Sequence, residues 1–249
     1  MARIVLVHGA FNEFWGPHEM KARWLPALRD GLWHHDVEIT SVEVGVCFYG
    51  DLFRRQPDTE AEHRLEKSRE GISELLAKLE GTDVIAALGR AANDAAFDRI
   101  VDMVTIMATE PDLRDRMRAR AEAVVGEDTR VIVSHSLGTL LSYMALSNHP
   151  QWKVHTFVTL GSPLAAPMIF KHLNPPPKGG KGQWPGSVQR WVNVRAVGDK
   201  AAAVTLREKF TDRVEEFLID NGPRAHDPEP YLNAAATGAA IAAALAQKG

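Results

Sequence analysis

The sequence predicts an α/β protein, a doubly wound, mostly parallel sheet with an inserted helical region. Three observations predict it. Six short apolar runs, at Ile4–Val7, 42–48, 131–133, 154–160, 191–197 and 214–219, have the length of strands buried on both faces. Longer segments with helical spacing of apolar residues lie between them, as crossovers between parallel strands require. At residues 131–141 an apolar strand passes through a small-residue turn into an apolar helix, with Ser136 at the apex.

Each element follows in order. The first run ends in His8-Gly9-Ala10-Phe11, and residues 21–32 then place Trp24, Leu25 and Leu28 on one helical face. The second run holds the one cysteine, Cys47, read as a small buried residue. Residues 51–125 separate the second and third runs by far more than a crossover needs. Within them, 59–79 carries the stripe Leu65, Ile72, Leu75, Leu76 and Leu79, and 93–125 reads as two helices broken near Pro111. That pair is either packed on the core or a lid-like cover. Its mixed charges (Arg114, Asp115, Arg116, Arg118, Arg120, Glu122) differ from the basic face of a membrane-surface helix. Residues 139–146 form the helix after the turn. Residues 165–189, rich in proline and glycine, read as a surface loop beside a site. Their glycine-lysine run lacks the strand and helix of a P-loop. An alanine-rich helix at 231–246 closes the chain.

The 249 residues suffice for one sizeable core. With no internal repeat and no clear linker, residues 1–249 are read as a single domain with 51–125 inserted as a helical or lid-like region. A formal net charge of -3 gives no ground for a nucleic-acid partner. One cysteine allows no intrachain disulfide, Ile4–Val7 is too short for a signal-peptide core, and no run reaches the length of a membrane span. A cytoplasmic protein that is not integral to a membrane is expected.

The turn reads Ser134-His135-Ser136-Leu137-Gly138, the G-x-S-x-G pattern of a nucleophile elbow with Ser134 in place of the first glycine. Ser134 competes with Ser136 as nucleophile; position in the motif favours Ser136. A serine hydroxyl needs a base, usually a histidine oriented by a carboxylate. Gly198-Asp199-Lys200 follows the fifth run, and His226 lies in a polar loop after the sixth. The order Ser136, Asp199, His226 places each group at the carboxyl end of a strand. Asp220 competes with Asp199, and strand order favours Asp199. Backbone N–H groups for an oxyanion come from Leu137 and from Ala10 or Phe11, with Ala10 preferred. His8 reads as structural, while His135 either lines the pocket or packs. His155 and His172 read as solvated. Glu215 and Glu216, adjacent on a strand, point to opposite faces and cannot converge. The histidines and acids show no metal-ligand spacing, and His34-His35 lacks a partner motif.

These residues resemble the α/β-hydrolase superfamily, and more narrowly bacterial lipase and esterase-like serine hydrolases. The resemblance is carried by Val5-Leu6-Val7-His8-Gly9-Ala10-Phe11, by Ser134-His135-Ser136-Leu137-Gly138, by Leu160-Gly161-Ser162-Pro163, and by His226-Asp227 with Tyr231-Leu232 beyond it. It spans residues 3–246 without 51–125. It implies an α/β-hydrolase fold and hydrolysis of carboxylic esters through an acyl-enzyme on Ser136. His226 would be the base, Asp199 its orienting acid, and Ala10 and Leu137 the oxyanion hole. Phe11, Phe14, Trp15 and Leu164 would wall the acyl pocket. No metal or organic cofactor is implied, and the substrate is a small-molecule or lipid ester. The same machinery also serves amides, peptides, phospholipids and acyl acceptors, and a hydrolase fold can serve as a non-catalytic binding module. No partner protein is indicated.

Overall fold

The computed structural model describes residues 2–54, 103, 107, 110–171 and 173–247. Six strands are present among them: β1 (Ile4–Val7), β2 (Val44–Cys47), β3 (Val131–His135), β4 (Thr156–Leu160), β5 (Arg190–Ala196) and β6 (Glu215–Ile219). All pair in parallel in one sheet of order β2-β1-β3-β4-β5-β6. The doubly wound sheet expected from the six apolar runs is thus the observed architecture. The chain adds β2 on one side of β1 and all later strands on the other. The carboxyl ends of β1 and β3 therefore flank a topological switch point, where doubly wound sheets open a crevice.

The helices are α1 (Pro17–Trp33), α2 (Pro111–Glu122), α3 (Gly138–Asn148), α4 (Pro167–Phe170), α5 (Leu206–Lys209), α6 (Pro228–Asn233) and α7 (Ala235–Ala246). Two apolar cores sandwich the sheet. Ile4 and Leu6 of β1 face α1, α6 and α7, whereas Val5 and Val7 face α2 and α3. This alternation is the period of two that every strand imposes. All four β1 residues are buried, and each such aliphatic side chain contributes about 1.5–3 kcal/mol relative to exposure. Trp24, Leu25 and Leu28 make the buried stripe expected of α1.

Three boundaries differ from expectation for local reasons. Helix α1 begins at Pro17, whose fixed φ and missing N–H suit a first helical position. Strand β2 starts only at Val44, because Thr40 and Glu43 form a reciprocal capping box around the short turn Ser41–Glu43. The closing helix is two helices, with Ala234 extended between them at ψ 136°. The break lets both pieces press on α1. A Cβ at Gly31 would lie 2.3 Å from the Leu232 carbonyl oxygen, and one at Gly238 would lie 1.9 Å from that of Gly31.

The helical segment expected at 59–79 lies outside the described residues, as do 93–102, 104–106, 108, 109 and His172. Helix α2 starts at Pro111, where the break in 93–125 was expected. The glycine-lysine run forms a tight antiparallel turn between Lys178 and Lys181, with exposed Gly179 and Gly180 at its tip. Among the described residues, no helix is long and apolar enough to cross a membrane.

Candidate active site

The elbow is built by sequence and packing together. Strand β3 ends at His135, α3 starts at Gly138, and Ser136 between them has φ 53°, a left-handed conformation costly for a residue with a Cβ. What holds it there is a set of hydrogen bonds. The Ser136 carbonyl accepts from both the backbone N–H (3.0 Å) and the hydroxyl (2.7 Å) of Thr139. The Thr139 hydroxyl in turn accepts from Ser162 (2.9 Å), whose oxygen accepts the Leu164 N–H (3.3 Å). The Ser136 N–H donates to the Leu160 carbonyl at 3.0 Å. Close approach does the rest. A Cβ on Gly138 would lie 2.2 Å from the His8 carbonyl oxygen, and one on Gly9 would lie 2.7 Å from Ser136 Cβ.

Ser136, His226 and Asp199 form one continuous hydrogen-bonded chain. His226 Nε2 lies 3.0 Å from Ser136 Oγ. His226 Nδ1 lies 2.9 Å from each oxygen of Asp199. A carboxylate only accepts, so Nδ1 carries the ring proton, and Nε2 of the neutral ring is left to accept from the serine hydroxyl. The Asp199 side chain is fully buried and that of His226 about one-third exposed, at 35%. Burial pushes the Asp199 carboxyl up, but hydrogen bonds from His226 and Tyr231 and the charge of His226 outweigh it, holding Asp199 below the usual carboxylate range. The rival acid, Asp220, is exposed and accepts the Gly222 N–H at 2.8 Å, a local turn contact.

The rival nucleophile is also placed. Ser134 is buried, and its hydroxyl lies 2.6 Å from that of Ser142 on α3. His8 is buried with both nitrogens engaged. Nδ1 donates to the Gly9 carbonyl (2.7 Å), and Nε2 accepts the Tyr49 N–H (3.1 Å). Burial lowers its pKa to about 4, so it is a neutral structural ring. Glu215 and Glu216 each pair with an arginine of β5, Arg190 and Arg195.

Among the described residues, the backbone N–H groups of Ala10 and Leu137 have no protein acceptor. Ala10 is half-buried and Leu137 buried. Phe11 is exposed and sits at φ 65°, so the loop after β1 turns sharply where the elbow abuts it. Phe14 is exposed beneath the Arg54 guanidinium, and half-buried Trp15 lies under that of Arg23. Leu164 is wholly buried against the face carrying α2 and α3. Among the described residues, no cluster of histidine, cysteine, aspartate and glutamate has the makings of a metal site.

Three neighbours of the chain escaped the sequence reading as contributors. Tyr231 donates its phenol to Asp199 Oδ2 at 2.5 Å. His135 Nε2 donates to the His226 carbonyl at 2.8 Å, and its ring lies 4.8 Å from the His226 ring. Burial and the nearby His226 lower its pKa to about 3, which leaves it neutral. Gly161, at φ 55°, packs against Asp199 and His226, and a Cβ there would lie 2.8 Å from Asp199 Oδ2. The strand-Gly-Ser-Pro step marked this place in the sequence, but no spacing rule marked Tyr231.

Six parallel strands in this order, with a serine elbow after β3 and Asp199 and His226 in the loops after β5 and β6, make this an α/β-hydrolase fold. No family model matches the chain, and no curated protein sequence matches it. A structural match links it to the solved dienelactone hydrolase of Anabaena variabilis ATCC 29413, with 12% identity and a TM-score of 0.37, covering 96% of this chain and 84% of that one. The fold assignment rests on strand order, crossovers and elbow, not on this likeness.

Proposed function

We propose that the protein is a serine hydrolase that cleaves carboxylic esters through an acyl-enzyme on Ser136. The observation that carries this reading is the hydrogen-bonded chain from Ser136 Oγ through His226 to a buried, ionised Asp199. Ser136 Oγ attacks the ester carbonyl carbon while its proton passes to His226 Nε2. Asp199 holds the other ring proton and stabilises the imidazolium. The Leu137 and Ala10 N–H groups receive the oxyanion. The alkoxide then leaves with the proton from His226. Water attacks the acyl-enzyme, His226 takes its proton, and the carboxylic acid departs from Ser136.

Phe11, Phe14, Trp15 and Leu164 are read as walls of the acyl pocket. We read the chain as one catalytic domain with 51–125 as an insertion, working in the cytoplasm on a small-molecule or lipid ester. The same chain of groups serves amides and phospholipids, so the acyl group is set by the pocket and not by the triad.

The test is an acyl-chain series of p-nitrophenyl esters with wild type and Ser136→Ala, alongside a fluorophosphonate probe. Hydrolysis and labelling of the wild type, both lost in the variant, are expected. A folded wild type that neither hydrolyses nor labels would instead be a binding module.

A further inference from the structure

We propose that Tyr231 is a positioning residue that centres the Asp199 carboxylate on His226 and tempers its basicity, an inference that rests on the reading of Ser136, His226 and Asp199 as a triad. The acid is held from two sides. Oδ1 accepts the Ala201 N–H at 3.0 Å, and Oδ2 accepts the Tyr231 phenol. With one donor on each oxygen, the carboxylate sits symmetrically, and His226 Nδ1 lies 2.9 Å from both oxygens. Removing the phenol leaves Oδ2 with the imidazole alone.

Tyr231 has the means to hold this place. It is fully buried in the middle of α6, five residues beyond His226. Asp199 thus ties the base and the helix that follows it to the same carboxylate, and His135 pins the intervening carbonyl of His226. Burial, then the Asp199 charge, push the phenol far up, so it stays protonated and can only donate to the acid. The titratable and charged groups around the pair are His226 and His135, with Arg195 and His8 further off. Among the described contacts, His226 Nδ1 is the one other donor to Oδ2.

The charge on Asp199 sets how strongly the imidazolium is favoured over the neutral ring. A donor on Oδ2 withdraws part of that charge. Losing it therefore moves the acidic limb of the kcat/KM profile to higher pH, and strengthening it moves the limb to lower pH.

The experiment measures kcat and KM for p-nitrophenyl acetate across pH in wild type, Tyr231→Phe, and protein carrying trifluorotyrosine at position 231, a stronger donor of nearly the same shape. For Tyr231→Phe we expect an upward shift of about half a unit or more, with kcat reduced about ten-fold and KM unchanged. The fluorinated protein shifts the opposite way. Limbs that stay in place, or move in the same direction in both variants, would overturn the proposal. The midpoint of the His226 imidazole titration by NMR reports the same displacements without turnover. A chain with no esterase activity thus sinks the triad reading, while unmoved midpoints sink the role of Tyr231. The fluorinated protein keeps the phenol that donates to Asp199, so it carries the test if Tyr231→Phe fails to fold.

Discussion

The hydroxyls of Ser134 and Ser142 lie 2.6 Å apart in the packed interface between β3 and α3. A glycine is usual at position 134 because the helix after the elbow presses on the strand before it. Here the serine fits by pairing with a second serine one helical turn into α3. Both hydroxyls are buried, and each satisfies the other.

This pairing predicts that Ser134→Ala keeps fluorophosphonate labelling and ester hydrolysis within a few-fold of wild type. It should cost about 1–3 kcal/mol of stability, because the Ser142 hydroxyl is left buried without a partner. Urea unfolding and probe labelling of the one variant read both outcomes. Loss of labelling in a folded Ser134→Ala protein would make Ser134 the nucleophile.

Gly9→Ala should damage the site more than the fold. Its new Cβ would lie 2.7 Å from Ser136 Cβ and 3.1 Å from the His135 carbonyl oxygen. The elbow or the oxyanion loop must move by a fraction of an ångström or more. Displacements of about 1 Å cost on the order of a hundred-fold in rate, and we expect a fall in kcat/KM of about that size. Steady-state kinetics beside a thermal melt will separate this from unfolding.

Stability should fall in mild acid. His8 and His135 have folded pKa values of about 4 and about 3, both below the ordinary 6.5. Below pH 6.5 the unfolded chain therefore binds protons that the folded chain refuses. Their contribution is fully present above that value and declines as pH drops toward 4 and then 3. The expected loss between pH 6.5 and pH 5 is on the order of 2 kcal/mol for each ring. Urea unfolding at pH 7, 6 and 5 measures it. His135→Gln, which keeps a donor for the His226 carbonyl but does not titrate, should halve the dependence. An unchanged slope would mean that His135 is protonated in the fold.

Cys47 should be chemically silent. It is buried on β2, and burial pushes its thiol up to about 12. At pH 8 iodoacetamide should leave the native protein unmodified and add one equivalent in denaturant, as mass spectrometry would show. Native alkylation would contradict its burial.

Much of this arrangement was legible in the sequence. Continuous apolar runs marked the six described strands because a parallel strand buries both faces, and the weakest run became β6, at one end of the described sheet. Ser136, Asp199 and His226 were legible because each follows a run whose carboxyl end faces the crevice. The break at Ala234 was not legible, since an alanine-rich stretch has helical propensity throughout and only its fit against Gly31 interrupts it.

The sequence by itself determined the strands, their parallel class, and which strand ends carry Ser136, Asp199 and His226. Burial and periodicity are local properties, written residue by residue. The tertiary structure alone decided that Asp199 meets His226, that Tyr231 caps the second oxygen of Asp199, and that His135 holds the His226 carbonyl. Those contacts join residues 27, 32 and 91 positions apart. Their distances depend on strand order and on how α6 packs against α1, which no local pattern encodes.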